Sequence, residues 1–230
     1  MIGFGGRLCA VAEPFYIFDS LAVPLMKSSP DSASIESLLS YFNRLIPLNK
    51  EEQEMVRESF RSRSYRKKQY VLQEGDISTQ FNYVISGCLR MYKVDDQGNI
   101  HILQFAPEGW WISDLGSFHS VSPSELNIDA IEDTEVLQIK RDDLITLYKQ
   151  APKFDRIFRV LIEKSFIQQQ KRLLQTISST ADYRYQSFLD TYPQLVNRIS
   201  QKQVASYLGI TQEFLSRLRN RRANPATPKS

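Results

Sequence analysis

The sequence predicts an α+β protein in which flanking helices surround short antiparallel strands and a helical unit closes the chain. Between residues 70 and 139, β-favouring runs alternate with turn-forming residues, a pattern typical of an antiparallel sandwich or barrel. From Phe154 to Ile177, apolar residues recur at helical spacing. Beyond Ser200, two short helical patterns are joined by Gly209. With 230 residues, 42% of them hydrophobic, the chain can bury a core without disulfides or a structural metal.

The elements follow in order along the chain. A first helix over residues 35–46 ends at Pro47, and a second begins at Asn49 and runs toward Phe60. The predicted strands are residues 70–72, 82–85, 89–92, 100–105, 127–131 and 135–139. Residues 96–99 form a predicted hairpin turn because Gly98 can take a positive φ. A helix over residues 141–150 and a long helix starting at Pro152 complete this part.

The long apolar stripe over residues 154–177 predicts a homodimer seam. An ordinary helix packed on its own domain is the alternative. Three glutamines, residues 168–170, interrupt the stripe with polar groups.

Charge is divided unevenly along the chain. The net charge of +3 combines about −6 over residues 31–150 with about +9 over residues 151–230. An acidic body with a basic end indicates a module that meets a polyanion.

Composition excludes several classes of protein. Two cysteines cannot build a disulfide framework, a Cys-rich zinc site or a four-Cys iron–sulfur site. The longest stretch without Asp, Glu, Lys or Arg is the thirteen residues 77–89, too short for a membrane span. We therefore expect a cytoplasmic protein with no membrane partner. Residues 1–30 are expected to be a poorly ordered extension, and we hypothesise that residues 1–25 do not belong to the natural product.

The C-terminal segment carries the clearest motif. Ser200 and Gln203 have the spacing of a capping box, and Thr211 can cap a second helix. Gly209 allows a left-handed turn between the helices, and Ile210 fills the corner. The residues predicted to face inward are Val204, Ala205, Leu208, Phe214, Leu215 and Leu218. This is the pattern of a helix-turn-helix, although a basic surface hairpin is the alternative.

The outward face of the second helix suits the major groove of double-stranded DNA. Gln and Arg can pair with A and G edges, Glu can accept from cytosine, and Glu213 and Arg217 are spaced to hold each other in position. The predicted DNA-binding residues are Thr211, Gln212, Glu213, Ser216, Arg217, Asn220, Lys202 and Arg221. Arg198, Arg219 and Arg222 are further expected phosphate contacts.

Strands, a long helix and a C-terminal helix-turn-helix resemble the Crp/Fnr family of bacterial transcription regulators. The resemblance covers about residues 35–222 and is carried by residues 71–76, 83–90, 111–118 and 203–217. A Gln-Phe-Ala-Pro run at 104–107 followed by Trp110 and Trp111 is similar to Bacteroidetes-type members. The resemblance implies a cyclic-nucleotide-binding-like β-roll (a double-stranded β-helix or jelly roll) at 31–150, a dimerisation helix at 151–178 and a DNA-binding domain at 179–230.

Two departures from the family concern DNA contact. The family's recognition helix carries Arg-Glu-x-x-x-Arg, and here the positions are Gln212, Glu213 and Arg217. The first base contact is therefore expected to differ. The family's β-hairpin wing is expected to be short or absent, because Arg222 leads directly into a Pro-rich tail.

The segment that binds the cyclic nucleotide in the family, called the phosphate cassette below, differs from the family pattern even more. Where the family has Gly-Glu-Leu, this chain has Ser113, Asp114 and Leu115, and the phosphate-binding Arg and its neighbour become Ser124 and Glu125. A carboxylate beside a bound phosphate is unfavourable, and Arg90 and Lys93 lie on another strand, so cAMP and cGMP are not expected to bind.

The other predicted pocket residues are Trp111, which can stack on a planar ligand or pack in the core, and Gln169 and Gln170, which contact a ligand or set the dimer register. A different small effector and an empty roll both remain open. His101 in a strand and His119 in a loop are interpreted as structural or solvent-exposed rather than as metal or haem ligands, and no cofactor is expected.

These observations favour a dimeric, sequence-specific transcription regulator that reads a near-palindromic operator, with RNA polymerase as a further partner. The alternative is a ligand-sensing module that acts on a protein partner. An enzyme is not expected, since the sequence shows no nucleophile–base constellation, metal cluster or dinucleotide motif.

Overall fold

The computed structural model describes residues 32–223. The extension expected over residues 1–30 and the tail expected beyond residue 223 lie outside the described residues. The helices are α1 (Ser32–Leu45), α2 (Lys50–Ser59), α3 (Leu115–Ser120), α4 (Arg141–Gln150), α5 (Pro152–Ser178), α6 (Ala181–Thr191), α7 (Gln201–Leu208) and α8 (Gln212–Ala223). The strands are β1 (Phe60–Tyr65), β2 (Tyr70–Leu72), β3 (Gln80–Ser86), β4 (Leu89–Val94), β5 (Ile100–Ala106), β6 (Trp111–Ile112), β7 (Asn127–Ala130) and β8 (Thr134–Lys140).

The strands form two four-stranded sheets, ordered β1-β8-β3-β6 and β2-β7-β4-β5, and every pairing between them is antiparallel. This confirms the α+β class and the roll. All six predicted strands are present, but β1 and β6 are additional. β1 escaped prediction because only Phe60 and Tyr65 at its ends are buried, whereas its middle is polar and basic, as suits an edge strand. His119, expected in a loop, lies in the short helix α3.

Sequence-local chemistry explains where the first helices begin and end. The Asn49 side chain accepts from the Glu52 N–H while Glu52 accepts from the Asn49 N–H, so α2 starts in a complete capping box. Pro47 lies two residues beyond the end of α1, where it cannot continue the helix.

A large aromatic core joins α1 and α5 to the first sheet. Phe42 lies 6.0 Å from Trp111 and 5.9 Å from Phe158, ring centroid to centroid, and Phe81 stacks on Trp111 at 5.0 Å. Of the two uses expected for Trp111, this contact is packing in the core.

The first part of α5 belongs to this core, and the homodimer seam predicted over residues 154–177 is wrong there. Phe154, Ile157, Phe158 and Leu161 are at most 7% exposed because their own chain covers them. In contrast, the later apolar residues, from Phe166 at 60% to Ile177 at 75% exposure, are left uncovered by residues 32–223. Within that part of the chain, the second half of the stripe is the half available to another subunit.

A second core, centred on Phe105, connects the roll to the C-terminal helices. Phe105 contacts Phe188, Tyr192 and Tyr207, with centroid separations of 5.4–6.3 Å, and Trp110 lies 5.1 Å from Tyr192. The helical unit that begins with α6 is therefore held against β5 rather than hanging free from α5.

Candidate functional sites

The two helices of the C-terminal motif are positioned by local hydrogen bonds. Ser200 and Gln203 form the predicted capping box at the start of α7. Gly209 ends α7 in the left-handed region with φ +66°, and its N–H bonds to the carbonyls of Ala205 and Ser206. Thr211 then caps α8, since its hydroxyl accepts from the Phe214 N–H at 3.2 Å.

α8 turns one face inward and one outward. Leu215 and Leu218 are 0% and 1% exposed and pack on α7 and α6. The candidate base-reading residues Gln212, Glu213, Ser216, Arg217 and Asn220 are all exposed, and so is Thr211.

Two details of α8 differ from expectation. Phe214 was predicted to face inward but is 37% exposed, because Leu215 and Leu218 already occupy the inward positions. The Arg217 guanidinium lies over the Phe214 ring, 5.7 Å from its centroid, and not within 4 Å of Glu213. The pKa of Glu213 is lowered mainly by its own backbone N–H and the Thr211 hydroxyl, and only secondarily by Arg217.

The basic residues divide into free and engaged groups. Lys202, Arg219 and Arg221 are exposed, and no ion pair holds them among residues 32–223. Two of the expected phosphate contacts have partners within the chain. Arg198 is paired with Glu108 and Glu132, and Arg222 with Asp182 and Gln186, so most of their N–H donors are engaged in the protein alone.

The C-terminal helices meet the roll at a joint that we define by Arg172, Arg198, Ser206 and Tyr207. Ser206 satisfies the outer edge of β5, since its hydroxyl donates to the Ile100 carbonyl and accepts from the Ile102 N–H at 3.1 Å. Arg198 bridges to Glu108 at 2.7 Å and to Glu132.

Arg172 of α5 ties three elements together at this joint. It donates to the carbonyls of Ile102, Leu103 and Tyr207, and stacks 4.0 Å from the Tyr207 ring centroid. The sequence offered no signal for this role, because the partners are backbone carbonyls far away along the chain.

The residues expected to form a phosphate cassette are bonded to one another. One carboxylate oxygen of Asp114 accepts from the Gly116 and Ser117 N–H groups and so caps α3, and the other accepts from Ser124 Oγ at 2.6 Å. Ser113 donates to the Gln80 carbonyl. Nearby cations are neutralised as well, since Arg90 makes a bidentate pair with Asp129.

Glu125, expected to stand beside a bound phosphate, points toward solvent. Its side chain is 82% exposed and pairs with Lys93 at 2.8 Å. The pKa of Glu125 is lowered by the hydrogen bond and charge of Lys93.

A cavity of about 430 Å³ lies between the roll and α5. Of the predicted pocket residues, Trp111, Ser113, Asp114, Leu115 and Gln169 line it, whereas Ser124, Glu125 and Gln170 do not. A second volume of about 310 Å³ continues along α5 toward the C-terminal helices, where Arg172, Tyr192 and Tyr207 form its wall. Sequence reasoning missed Lys164, Arg172, Tyr192 and Tyr207, whereas Gln168 belongs to the glutamine run that it had singled out.

Within residues 32–223, no three His, Cys, Asp or Glu side chains are grouped to hold a metal ion. The same residues include no helix with the length and apolarity that crossing a bilayer requires. His101 pairs with Asp95 at 2.8 Å beside the β4–β5 turn and is exposed.

We compared the chain with families of known proteins, with curated proteins and with solved structures. The cyclic nucleotide-binding domain family matches residues 62–151. The transcriptional activator protein Anr of Pseudomonas aeruginosa is 25% identical over 69% of this chain and 68% of its own length. The nitrogen fixation regulation protein FixK of Bradyrhizobium diazoefficiens is 27% identical over 64% of this chain, and the match spans 65% of FixK, slightly less than two thirds. In fold, the chain is similar to FixK2 from Bradyrhizobium japonicum, with a TM-score of 0.65, 22% identity, and coverage of 72% of this chain and 85% of that one.

The chain is thus similar to bacterial transcription regulators in sequence. Its fold is similar to that of a transcriptional regulator of the Crp/Fnr family from Eubacterium rectale, with a TM-score of 0.63, 20% identity, and coverage of 83% of this chain and 91% of that one.

Proposed function

We propose that this protein is a dimeric, sequence-specific DNA-binding transcription regulator whose roll does not take cAMP. The observation that carries the proposal is α8, which is capped, anchored by Leu215 and Leu218, and exposes a continuous face of base-reading side chains. Such a helix enters the major groove with its N-terminal residues at the base edges. The target is double-stranded DNA in the cytoplasm.

Each of the three domains proposed from the sequence has its own role. Residues 31–150 form the sensor, 151–178 the dimerisation helix and 179–230 the DNA-binding domain. Exposed apolar residues in the second half of α5 support pairing of two subunits, because water-exposed side chains as large as Leu173, Leu174 and Ile177 gain by mutual burial. Two recognition helices then read a near-palindromic operator, and RNA polymerase is the proposed protein partner at the promoter.

The state of the cassette supports the exclusion of cAMP. A cyclic phosphate needs an uncompensated cation at its site. Here Ser124 donates to Asp114, and the cations on β4 are paired with Asp129 and Glu125. A bound phosphate would therefore face a carboxylate and displace existing hydrogen bonds.

The proposal is tested by gel shift of the full chain on fragments of the source genome at two salt concentrations, followed by footprinting. We expect a protected near-palindrome and about ten-base-pair half-site spacing, with binding that weakens as salt rises. Binding that is equal on all fragments would overturn sequence specificity. Isothermal titration with cAMP should give no heat of binding, and a cAMP affinity in the micromolar range would overturn the second part.

A further inference from the structure

The two volumes beside α5 adjoin each other, and together they are called the channel. They share seven lining residues, which are Met91, Leu103, Gln104, Trp110, Ser165, Gln168 and Gln169. Lys164 lines only the end near the roll, and Thr176 lines only the end near the joint. Twelve residues of helix separate these two, which corresponds to about 18 Å along α5.

The channel walls are mainly apolar and aromatic. The roll contributes Met91, Leu103, Trp110 and Trp111, and the C-terminal helices contribute Tyr192 and Tyr207. Such walls favour a ligand with a long or flat apolar body, while amides from α5 supply a few polar contacts.

The charges along the channel favour an anion. Lys164 and Arg172 are the cations among its lining residues, and no carboxylate in the described part of the chain lies within salt-bridge distance of either. Asp114 is the one lining carboxylate, and its two oxygens already accept three hydrogen bonds. Three of the five Arg172 N–H donors bind backbone carbonyls, whereas the Lys164 ammonium has no ion-pair partner among residues 32–223, which makes Lys164 the better partner for an acidic group.

We propose that the channel binds an elongated apolar monoanion, of the class of a medium-chain carboxylate, with its acidic group at Lys164 and its body along Trp110 toward Tyr207. The inference rests on the proposed role of the roll as a sensor. Because Tyr207 and Arg172 belong to the joint, such a ligand contacts both the roll side and the DNA-binding side. Its binding therefore acts directly on how the DNA-binding helices are held.

The test uses a dansylated undecanoate as probe and the full chain as the protein. The two tryptophans of the chain, Trp110 and Trp111, both line the channel. Energy transfer from tryptophan to dansyl therefore reports binding in or near the channel, and the lysine variants below locate the acidic group. We expect saturable transfer with one probe per subunit, reversed by undecanoate, and reversed about three- to ten-fold less effectively by the neutral undecanamide.

A matched pair of variants locates the acidic group. Lys164→Met should weaken probe binding about three- to ten-fold and remove the preference for acid over amide. Lys171→Met is the control, because Lys171 lies on the same helix and is exposed but does not line the channel. Circular dichroism of both variants verifies that they fold.

Three results would overturn the inference: acid and amide compete equally, Lys164→Met leaves affinity unchanged, or the probe binds without energy transfer from tryptophan. The last result would place the probe far from Trp110 and Trp111, and therefore outside the channel. Gel shift of the same samples without probe keeps the two proposals separate. DNA binding without probe binding refutes the ligand class alone, and probe binding without DNA binding refutes the proposed function alone.

Discussion

Arg217 illustrates how a single residue is presented for recognition. It is exposed on α8, one turn after Glu213, and its guanidinium rests over Phe214 instead of pairing with a carboxylate. A guanidinium held over a ring keeps its fork of donors free, as bidentate reading of guanine requires.

Replacing Arg217 with alanine should therefore relax specificity at one base pair and cost about 1–3 kcal/mol on the preferred operator. Competition binding with an operator mutated at each position measures this. Arg219→Ala is the comparison, since an exposed arginine off the reading face should weaken all sequences alike. Equal weakening of every sequence by Arg217→Ala would show that Arg217 contacts only phosphate.

Whereas Arg217 is exposed and available to bind a partner, Cys88 is a reactive type of residue that burial makes unreactive. It is 1% exposed, and burial raises the pKa of its thiol to about 12. In a Cys9→Ser background, we expect the native protein not to react with Ellman's reagent at pH 8 and the urea-unfolded protein to release one equivalent. Rapid reaction of the native protein would mean that the second core opens readily.

At the scale of elements, the two halves of α5 differ in what covers their apolar residues. Its first half completes the roll's core, and its second half exposes apolar residues to which the described chain offers no cover. A helix with one continuous stripe can thus be both an internal and an intersubunit element, divided near Leu161.

A charge in the exposed half should therefore separate the subunits. Leu174→Glu places a carboxylate at a residue that is 64% exposed in one subunit, so folding of the monomer is retained while pairing is lost. Light scattering after size exclusion should report half the mass and weaker operator binding. Val121→Asp, at a residue 52% exposed on the roll, is the matched control and should stay dimeric. An unchanged mass for Leu174→Glu would exclude this face as the seam.

For the whole molecule, the joint determines where the DNA-binding helices lie. Ser206, Arg172 and Arg198 all bond to the roll, and two of them satisfy backbone groups of the edge strand β5. Partial burial raises the pKa of Glu108, but the hydrogen bonds and charge of Arg198 outweigh this, and the net pKa lies below its usual range.

The lowered pKa of Glu108 makes the folded protein more stable at neutral pH than in acid. A carboxyl group whose folded-state pKa is lowered stabilises the fold above its unfolded pKa, near 4.3, and the contribution is lost as pH falls through the folded value. Thermal unfolding of the wild type and of Glu108→Gln should therefore differ at pH 7 and converge in acid. A difference that persists at low pH would contradict an ionic origin.

The rate of hydrogen exchange at the Ile102 amide measures how firmly the joint is closed. The Ile102 amide is held by Ser206 Oγ, so Arg198→Ala, which releases one side of the joint, should speed its exchange. Exchange within β8, in the middle of the other sheet, should stay slow and serves as the internal reference.

The sequence by itself determined the parts of this protein that depend on neighbours along the chain. Capping boxes, the Gly209 turn and the inward Leu215 and Leu218 are interactions over three to five residues, and each is readable from spacing. The short strands were predictable for the same reason, whereas the polar edge strand β1 was not.

Only the tertiary structure decided which polar groups are free. Arg198 and Glu108 are 90 residues apart in sequence, Arg172 and Ile102 are 70 apart, and Asp114 and Ser124 meet across the loop that follows α3. A charged side chain looks the same in the sequence whether its partner is solvent, DNA or a distant carboxylate. Folding fixes that partner because desolvation at a packed interface must be offset by a hydrogen bond or an opposite charge.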